Sequence, residues 1–469
     1  MARHEADDGG TKGAGEPGRG KGGGAPGGSG GHVFQAPTGT RDFYPAELNR
    51  LRYVQDAWRR TSINHGFEEI DGPTFEHLDL YTVKSGDGIV SELFSFERFG
   101  GEKTFALRPE FTPTLARMYA SRAASLPKPT KWFWMQNCYR AERPQRGRLR
   151  EFSQWNCDII GDDSAQADAE CIACCVGALE EIGLSPNDVR IRVNNRRYVQ
   201  NMLRSAGLDE TVMDRGLSWL DTYHKLETDA FVKNGQAIGL DSDQAYKISV
   251  TLAALAGPNS KWPSDSMLAS DAAPGREPIY EPLFKALAAH GLREWCVLDP
   301  SIARGLAYYT GMVFEVHEAS GAERAIAGGG RYDKLIEMFG GPPTPAVGFG
   351  MGDVVLSLVL ADKGLMPKDE EVAARLGLNP DALVISNGTP EADGAVAGVV
   401  AELRRAGLHA RRSYKTTKNI GKLIQDAAKM RARYCVILES AESATVKDMG
   451  TQGQEGCGVA ELAGRIARR

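Results

Sequence analysis

The chain has no apolar run of about 18 residues, the length a membrane-crossing helix needs, so no membrane span is expected. Its opening stretch from Met1 is polar and glycine-rich with no apolar core, so no secretory signal is expected either. Positive charge is not in excess. Lys and Arg number 56 against 61 Asp and Glu, a net charge of -5, which excludes a global polycation and confines any nucleic-acid surface to a local patch. Cysteine is sparse: eight scattered residues in 469 point to a reducing compartment, and so to a cytoplasmic location rather than a disulfide framework. Cys171, Cys174 and Cys175 crowd together, yet no second cysteine or histidine pair stands at matching spacing, so no zinc site is expected. Their neighbours Asp168, Glu170, Ile172, Val176 and Leu179 read as an amphipathic helix that buries small thiols.

What is present is globular. Hydrophobic residues make up 42% and charged residues 25%, and the length suits two or three domains with a sizeable core. The most concentrated feature is Arg140 to Arg150, eleven residues with five arginines and one acid, Glu142. Trp132, Phe133, Trp134 and Met135 precede it, and Phe152, Trp155, Cys157, Ile159 and Ile160 follow. The pattern predicts strand, basic loop, strand. A solvated basic hairpin is the plain alternative. The apolar flanks favour a cleft that binds a polyanion or nucleotide, because each guanidinium can grip two phosphate oxygens.

Residues 1–34 form a leader whose first 32 residues hold 13 glycines, too little apolar surface to offset ordering entropy, so disorder is expected. Helical spacing covers 47–65, 112–123 and 165–182, and strand-like pieces fall at 67–75, 93–98, 103–108 and 189–194. Residues 196–289 read as a mostly helical insert. Strand character returns at 295–318, with a glycine-rich turn at 327–330 and a charged linker at 361–381. From 382 to 469 strands and helices alternate, which predicts parallel pairing in a small α/β domain. From Leu403 to Arg433 ten Lys or Arg residues face a single acid, Asp426. A solvated helix face accounts for part of this. The crowding of Arg411, Arg412, Lys415, Lys418 and Lys422 favours contact with an RNA backbone.

Five segments in order resemble the class II aminoacyl-tRNA synthetases, and within them the histidyl-tRNA synthetase family. Gly39 to Pro45 resembles the opening signature, and the helix after it the dimer-forming first motif. Leu107 to Thr112 resembles the substrate segment, and Arg140 to Gly161 the second motif. Arg304 to Gly311 resembles the histidine-specific signature, and Ala327 to Asp333 the pocket segment. The resemblance spans residues 35–469. It implies an α+β catalytic core over 35–195 and 290–360, an antiparallel sheet flanked by helices. The helical insert interrupts that core, and an α/β anticodon-binding domain follows at 382–469.

The resemblance also implies chemistry. Histidine is activated with ATP to an adenylate and pyrophosphate, then passed to the 3′ end of tRNA(His). Arg140 and Arg304 are the catalytic cations. ATP is held by Arg140, Glu142, Arg148, Phe152 and Thr112, with Glu142 orienting the adenine amino group. Histidine is read by Glu110, Thr112, Gln154, Asp158, Arg304, Tyr309 and Tyr332. Gln145 and Arg146 meet the tRNA acceptor end. The family uses Mg²⁺ with ATP, and no dedicated carboxylate cage for it is visible in this sequence. A homodimer is implied. Two positions depart from the pattern: Val355 stands where the third motif usually ends in an arginine, and Ala307 replaces a common acid. The competing reading is a synthetase-like regulatory paralogue of ATP phosphoribosyltransferase. That protein lacks the C-terminal domain, so residues 382–469 argue against it.

Overall fold

The computed structural model describes residues 34–85, 92–256, 260–271, 278–302, 308–321, 323–415, 417 and 419–467. The chain separates at Pro37 into two units, and the described part of the first, residues 34–37, carries no helix or strand.

The first helix, Pro45–Asn64, begins on a proline whose missing N–H is no loss in a first turn. It buries Tyr53, Val54, Ala57, Trp58 and Thr61, spaced as one helical face. Trp58 stacks on Trp155 with ring centroids 5.8 Å apart, pinning the helix to the sheet beneath. Truncating such a buried aromatic costs about 3–5 kcal/mol.

In chain order the first strands are β1 (Glu68–Glu69), β2 (Phe75–His77), β3 (Ser95–Glu97), β4 (Thr104–Leu107), β5 (Thr130–Tyr139) and β6 (Glu151–Ile160). They are followed by β7 (Val189–Asn195), β8 (Cys296–Leu298), β9 (Met312–Glu318), β10 (Ala327–Arg331) and β11 (Ala346–Gly352). The main sheet has the order β1-β5-β6-β11-β10-β9-β7-β8. Its six central strands are antiparallel, and the edge strands β1 and β8 run parallel to their neighbours. Strands β2, β4 and β3 make a small separate sheet.

One face of the main sheet carries the core. Trp155, Cys157 and Ile159 of β6 pack there with Phe349, Phe314 and the helices Pro45–Asn64, Ala165–Glu181 and Glu281–Ala289. The Ala165–Glu181 helix is capped by Ser164, which accepts from the Ala167 N–H at 3.2 Å. It buries Cys171, Cys174 and Cys175 completely. Burial lifts all three thiols above their ordinary pKa, as expected of packing residues and not of reactive thiolates.

Three expectations change. The glycine run at 327–330 is not a turn but the central strand β10. It is glycine-rich because its neighbours leave no room: a methyl on Gly329 would lie 2.5 Å from the Gly348 carbonyl oxygen. The charged segment 361–381 holds a helix, Asp369–Arg375, with three acids in its first turn and Val372 fully buried against the main core. The helical insert builds its own core around Leu203, Leu217, Trp219, Phe231 and Leu252. That core ends at Ala256; the Glu281–Ala289 helix buries Leu283, Phe284 and Leu287 in the main core instead.

The C-terminal sheet adds β12 (Ala382–Ser386), β13 (Ala410–Arg412), β14 (Tyr434–Leu438), β15 (Ser443–Asp448) and β16 (Gln454–Gly458), in the order β13-β12-β14-β15-β16. Alternation along β12 sets its two faces. Ala382 and Val384 meet the Pro390–Arg405 helix, and Leu383 and Ile385 meet the Ile420–Lys429 helix. The pairs β13-β12 and β12-β14 are parallel, as expected, whereas β14-β15 and β15-β16 are antiparallel.

Candidate active site

The second face of the main sheet is opened by glycine. In an antiparallel pair, residues directly opposite share a face. Gly348, Gly350 and Gly352 of β11 stand opposite Asp158, Asn156 and Gln154 of β6, and Gly330 and Gly328 of β10 stand opposite Gly348 and Gly350. From Gly348 to Gly352 of β11 and Gly328 to Gly330 of β10, two adjacent central strands therefore present no side chain to this face. The result is a cleft of about 550 Å³. At Gly348 the bare backbone is obligatory, because a methyl there would lie 1.9 Å from Asp158 Oδ1.

One end of the cleft is acidic and aromatic. Glu110, Thr112, Gln154, Asp158, Tyr308, Tyr309 and Tyr332 line it. Tyr332 donates its hydroxyl to Asp158 Oδ1 at 2.5 Å, and Tyr308 donates to Glu110 at 3.2 Å. Gln154 donates to Asn156 at 2.8 Å. Asp158 Oδ2 is buried and has no hydrogen-bond partner among the described residues. Burial pushes the Asp158 carboxyl up to about 7; the Tyr332 hydroxyl lowers it and the nearby Glu110 charge raises it. An unsatisfied buried carboxylate oxygen is a place for a donor, above all a cationic one.

The other end is basic. Arg140 donates Nε–H to the Pro109 carbonyl at 3.1 Å, and its guanidinium lies over the Phe152 ring, 5.1 Å from the centroid. The loop beyond it closes on itself through Gln145 and Arg148, whose backbones exchange hydrogen bonds at 3.0 and 2.9 Å around Gly147 at φ 75°. Arg148 lines the cleft and forms an ion pair with Glu142. Arg324, Val354 and Val355 complete this rim.

Nine of the expected site residues thus share one cleft: Glu110, Thr112, Arg140, Arg148, Phe152, Gln154, Asp158, Tyr309 and Tyr332. Glu142 does not line it; Arg148 holds its side chain. Arg146 is engaged by Glu323 at 2.5 Å and Asp362 at 3.0 Å. Gln145 is exposed at the loop tip. Arg304 and Ala307 lie outside the described residues, and the flanking Ile302 and Tyr308 both line the cleft. Sequence reasoning overlooked Asn156, Tyr308 and Arg324. Alternation with Gln154 and Asp158 along β6 would have found Asn156.

Comparisons with known proteins bear on the family and the fold. A family model described as Histidyl-tRNA synthetase matches residues 39–352, and one described as Anticodon binding domain matches residues 381–469. The chain is 40% identical to the histidine–tRNA ligase of Opitutus terrae over 382 residues, 80% of this chain and 84% of that one. It is 38% identical to the histidine–tRNA ligase of Halobacterium salinarum over 377 residues, 79% and 82% of the two chains. Among solved structures, the histidyl-tRNA synthetase of Nostoc sp. PCC 7120 superposes with a TM-score of 0.72 at 25% identity, covering 93% of this chain and 99% of that one.

Proposed function

The chain belongs to the histidyl-tRNA synthetase family, with the activity of an aminoacyl-tRNA ligase, and from that premise we propose how its cleft joins histidine to tRNA. The observation that carries the reading is the polarity of one glycine-floored trough. An unsatisfied carboxylate lies at one end, and Arg140 and Arg148 lie at the other. A zwitterionic amino acid and a triphosphate fit that order end to end.

The histidine ammonium sits against Asp158, Glu110 and Gln154, with Thr112 beside them. Tyr309 and Tyr332 read the imidazole, because a pocket that hydrogen-bonds both ring nitrogens rejects side chains that leave its polar groups unpaired. Phe152 stacks on adenine, as its ring does under Arg140 in this structure. The histidine carboxylate attacks the α-phosphorus in line, and pyrophosphate leaves. Negative charge grows on the phosphoryl oxygens, where Arg140 and Arg304 stabilise it. Arg148 exchanges Glu142 for the outer phosphates, and the released Glu142 reaches the adenine amino group. The tRNA 3′ hydroxyl then attacks the adenylate carbonyl near Gln145, and AMP leaves. Arg146 reaches the acceptor end only by giving up Glu323 and Asp362.

ATP use follows from the family. No group of three or more metal-ligating side chains occurs among the described residues, which does not fit a protein-built metal cage. Mg²⁺, which the family uses with ATP, would be held by the nucleotide's own phosphate oxygens and would offset their charge. The C-terminal domain takes the anticodon region, supported by the match over residues 381–469. A homodimer is supported by the exposed aromatic sheet of Phe75 and Phe96. The cytoplasmic location is supported by eight free cysteines. No helix of the described residues is long and apolar enough to cross a membrane.

The test is histidine-dependent ATP–pyrophosphate exchange followed by charging of tRNA(His). Exchange without charging would overturn the transfer step alone, whereas the non-catalytic regulatory paralogue predicts neither exchange nor charging. No exchange with histidine and Mg-ATP refutes the assignment at its first step.

A further inference from the structure

We propose that Arg324 is a phosphate-binding residue of the cleft, contributing the outer-phosphate cation that Val355 cannot. The inference deepens the reading of the cleft as an ATP site and rests on it.

The basic rim is built from three pieces of chain: the loop around Gly147, the start of the Asp353–Asp362 helix, and the residues leading into β10. The helix brings Val354 and Val355 to the rim and no charge. Val355 is only 8% exposed, so its apolar side chain occupies its place rather than leaving a gap. The charge comes from the third piece. A methyl group on Gly147 would lie 3.3 Å from Val355 Cγ2 and 3.8 Å from Arg324 Cδ. The Arg324 stem and Val355 therefore approach the same point of the loop, at the residue preceding Arg148.

The partners of the neighbouring cations single out Arg324. Arg41 is paired with Asp353 at 2.7 Å, Arg146 with Glu323 and Asp362, and Arg148 with Glu142. Arg150 donates to the Glu142 carbonyl at 3.1 Å. Arg324 lines the cleft and is exposed, with no ion pair or hydrogen bond among the described residues. Its adjacent residue Glu323 is spent on Arg146, so the nearest acid in sequence does not neutralise it. A guanidinium at a cleft mouth, uncompensated and beside a second cation, attracts a polyanion. Its fork matches two phosphate oxygens at once. Arg140 lies deeper, against Phe152 and Pro109, so the two outermost cations, Arg148 and Arg324, fall to the part of the triphosphate that leaves as pyrophosphate.

The experiment is steady-state exchange and its reverse, pyrophosphorolysis of histidyl-adenylate, in the full chain and in Arg324→Ala. The variant should raise KM for ATP and for pyrophosphate about tenfold each, the loss of one charge-assisted hydrogen bond, with kcat changed far less. AMP, which has no outer phosphates, should inhibit both proteins equally. A purely structural role would shift AMP and histidine along with ATP. Normal exchange in the unaltered chain with unchanged ATP and pyrophosphate KM in Arg324→Ala overturns this inference alone. Absence of histidine-dependent exchange in the unaltered chain overturns the underlying reading and the inference with it.

Discussion

Two arginine-rich stretches, Arg140 to Arg150 and Leu403 to Arg433, look alike in composition and end in different physical states. In the first, guanidinia are placed. Arg140 is fixed over Phe152, Arg146 by Glu323 and Asp362, and Arg148 by Glu142. Strands β5 and β6 pair over ten residues beneath the loop. In the second, the cations ride on short elements at a surface. The Arg412 guanidinium lies 4.7 Å from the Tyr414 ring centroid, and Tyr414 is 80% exposed. Among the described residues Arg411 reaches only His409, at 3.1 Å. Lys415 and Arg431 are the exceptions among the described residues, paired with Asp426 at 2.7 Å and with Glu370 at 2.9 Å. The lesson is that charge density does not separate a reaction site from a docking surface. What separates them is whether the surrounding fold has already fixed where each charge stands.

The contrast can be broken from the cleft side first. Arg304→Ala should slow histidyl-adenylate formation by on the order of a hundredfold or more, the scale of one electrostatic transition-state group. Pre-steady-state adenylate formation checks it, and an unchanged rate removes Arg304 from the mechanism. Next in size is Gly348→Ala. The added methyl must displace Asp158, so KM for histidine should rise by roughly tenfold or more, with about 1–3 kcal/mol of lost stability from overpacking. Exchange kinetics and a denaturant melt, measured together, separate the two effects.

The surface side predicts the opposite pattern. Tyr414→Ala removes an exposed stacking platform and should weaken tRNA charging by about five- to tenfold in kcat/KM, the scale of one stacked base. ATP–pyrophosphate exchange should not change. A variant that lowers both would place Tyr414 in the fold rather than the interface. The smallest effect is a pH dependence in the cleft. Asp158 is held up near 7 by burial, so below that pH the empty cleft carries it protonated. Binding a cationic ammonium then releases a proton, and KM for histidine should rise several-fold as pH falls from 8 to 6. The same shift means the folded state loses stability from Asp158 as pH rises from the ordinary carboxylate range towards 7. A flat profile in the unaltered chain would show that Asp158 is not the ammonium partner.

Much of the cleft was legible because its parts are local. Alternation along β6 sets Gln154 and Asp158 on one face and Trp155 and Cys157 on the other, and this follows from a period of two. The strand–loop–strand around the arginines likewise follows from apolar flanks. Glycine misled at 327–330, since the same residue serves a turn and a crowded central strand. The crowding comes from Phe314, Gly348 and Phe349, which are not its sequence neighbours. The Asp369–Arg375 helix escaped notice because its surface is charged and only Val372 is fully buried.

The amino-acid order by itself determined the family, the strand–loop–strand around the arginines and most of the residue types that reach the trough. Tertiary structure alone decided their state. Arg146 is neutralised by acids 177 and 216 positions away, while Arg324 is left uncompensated at the rim. The Asp158 carboxyl is pushed up to about 7 because the fold excludes water from it. Periodicity and propensity act over a few residues, but desolvation and charge pairing depend on neighbours that only folding brings within a few ångströms.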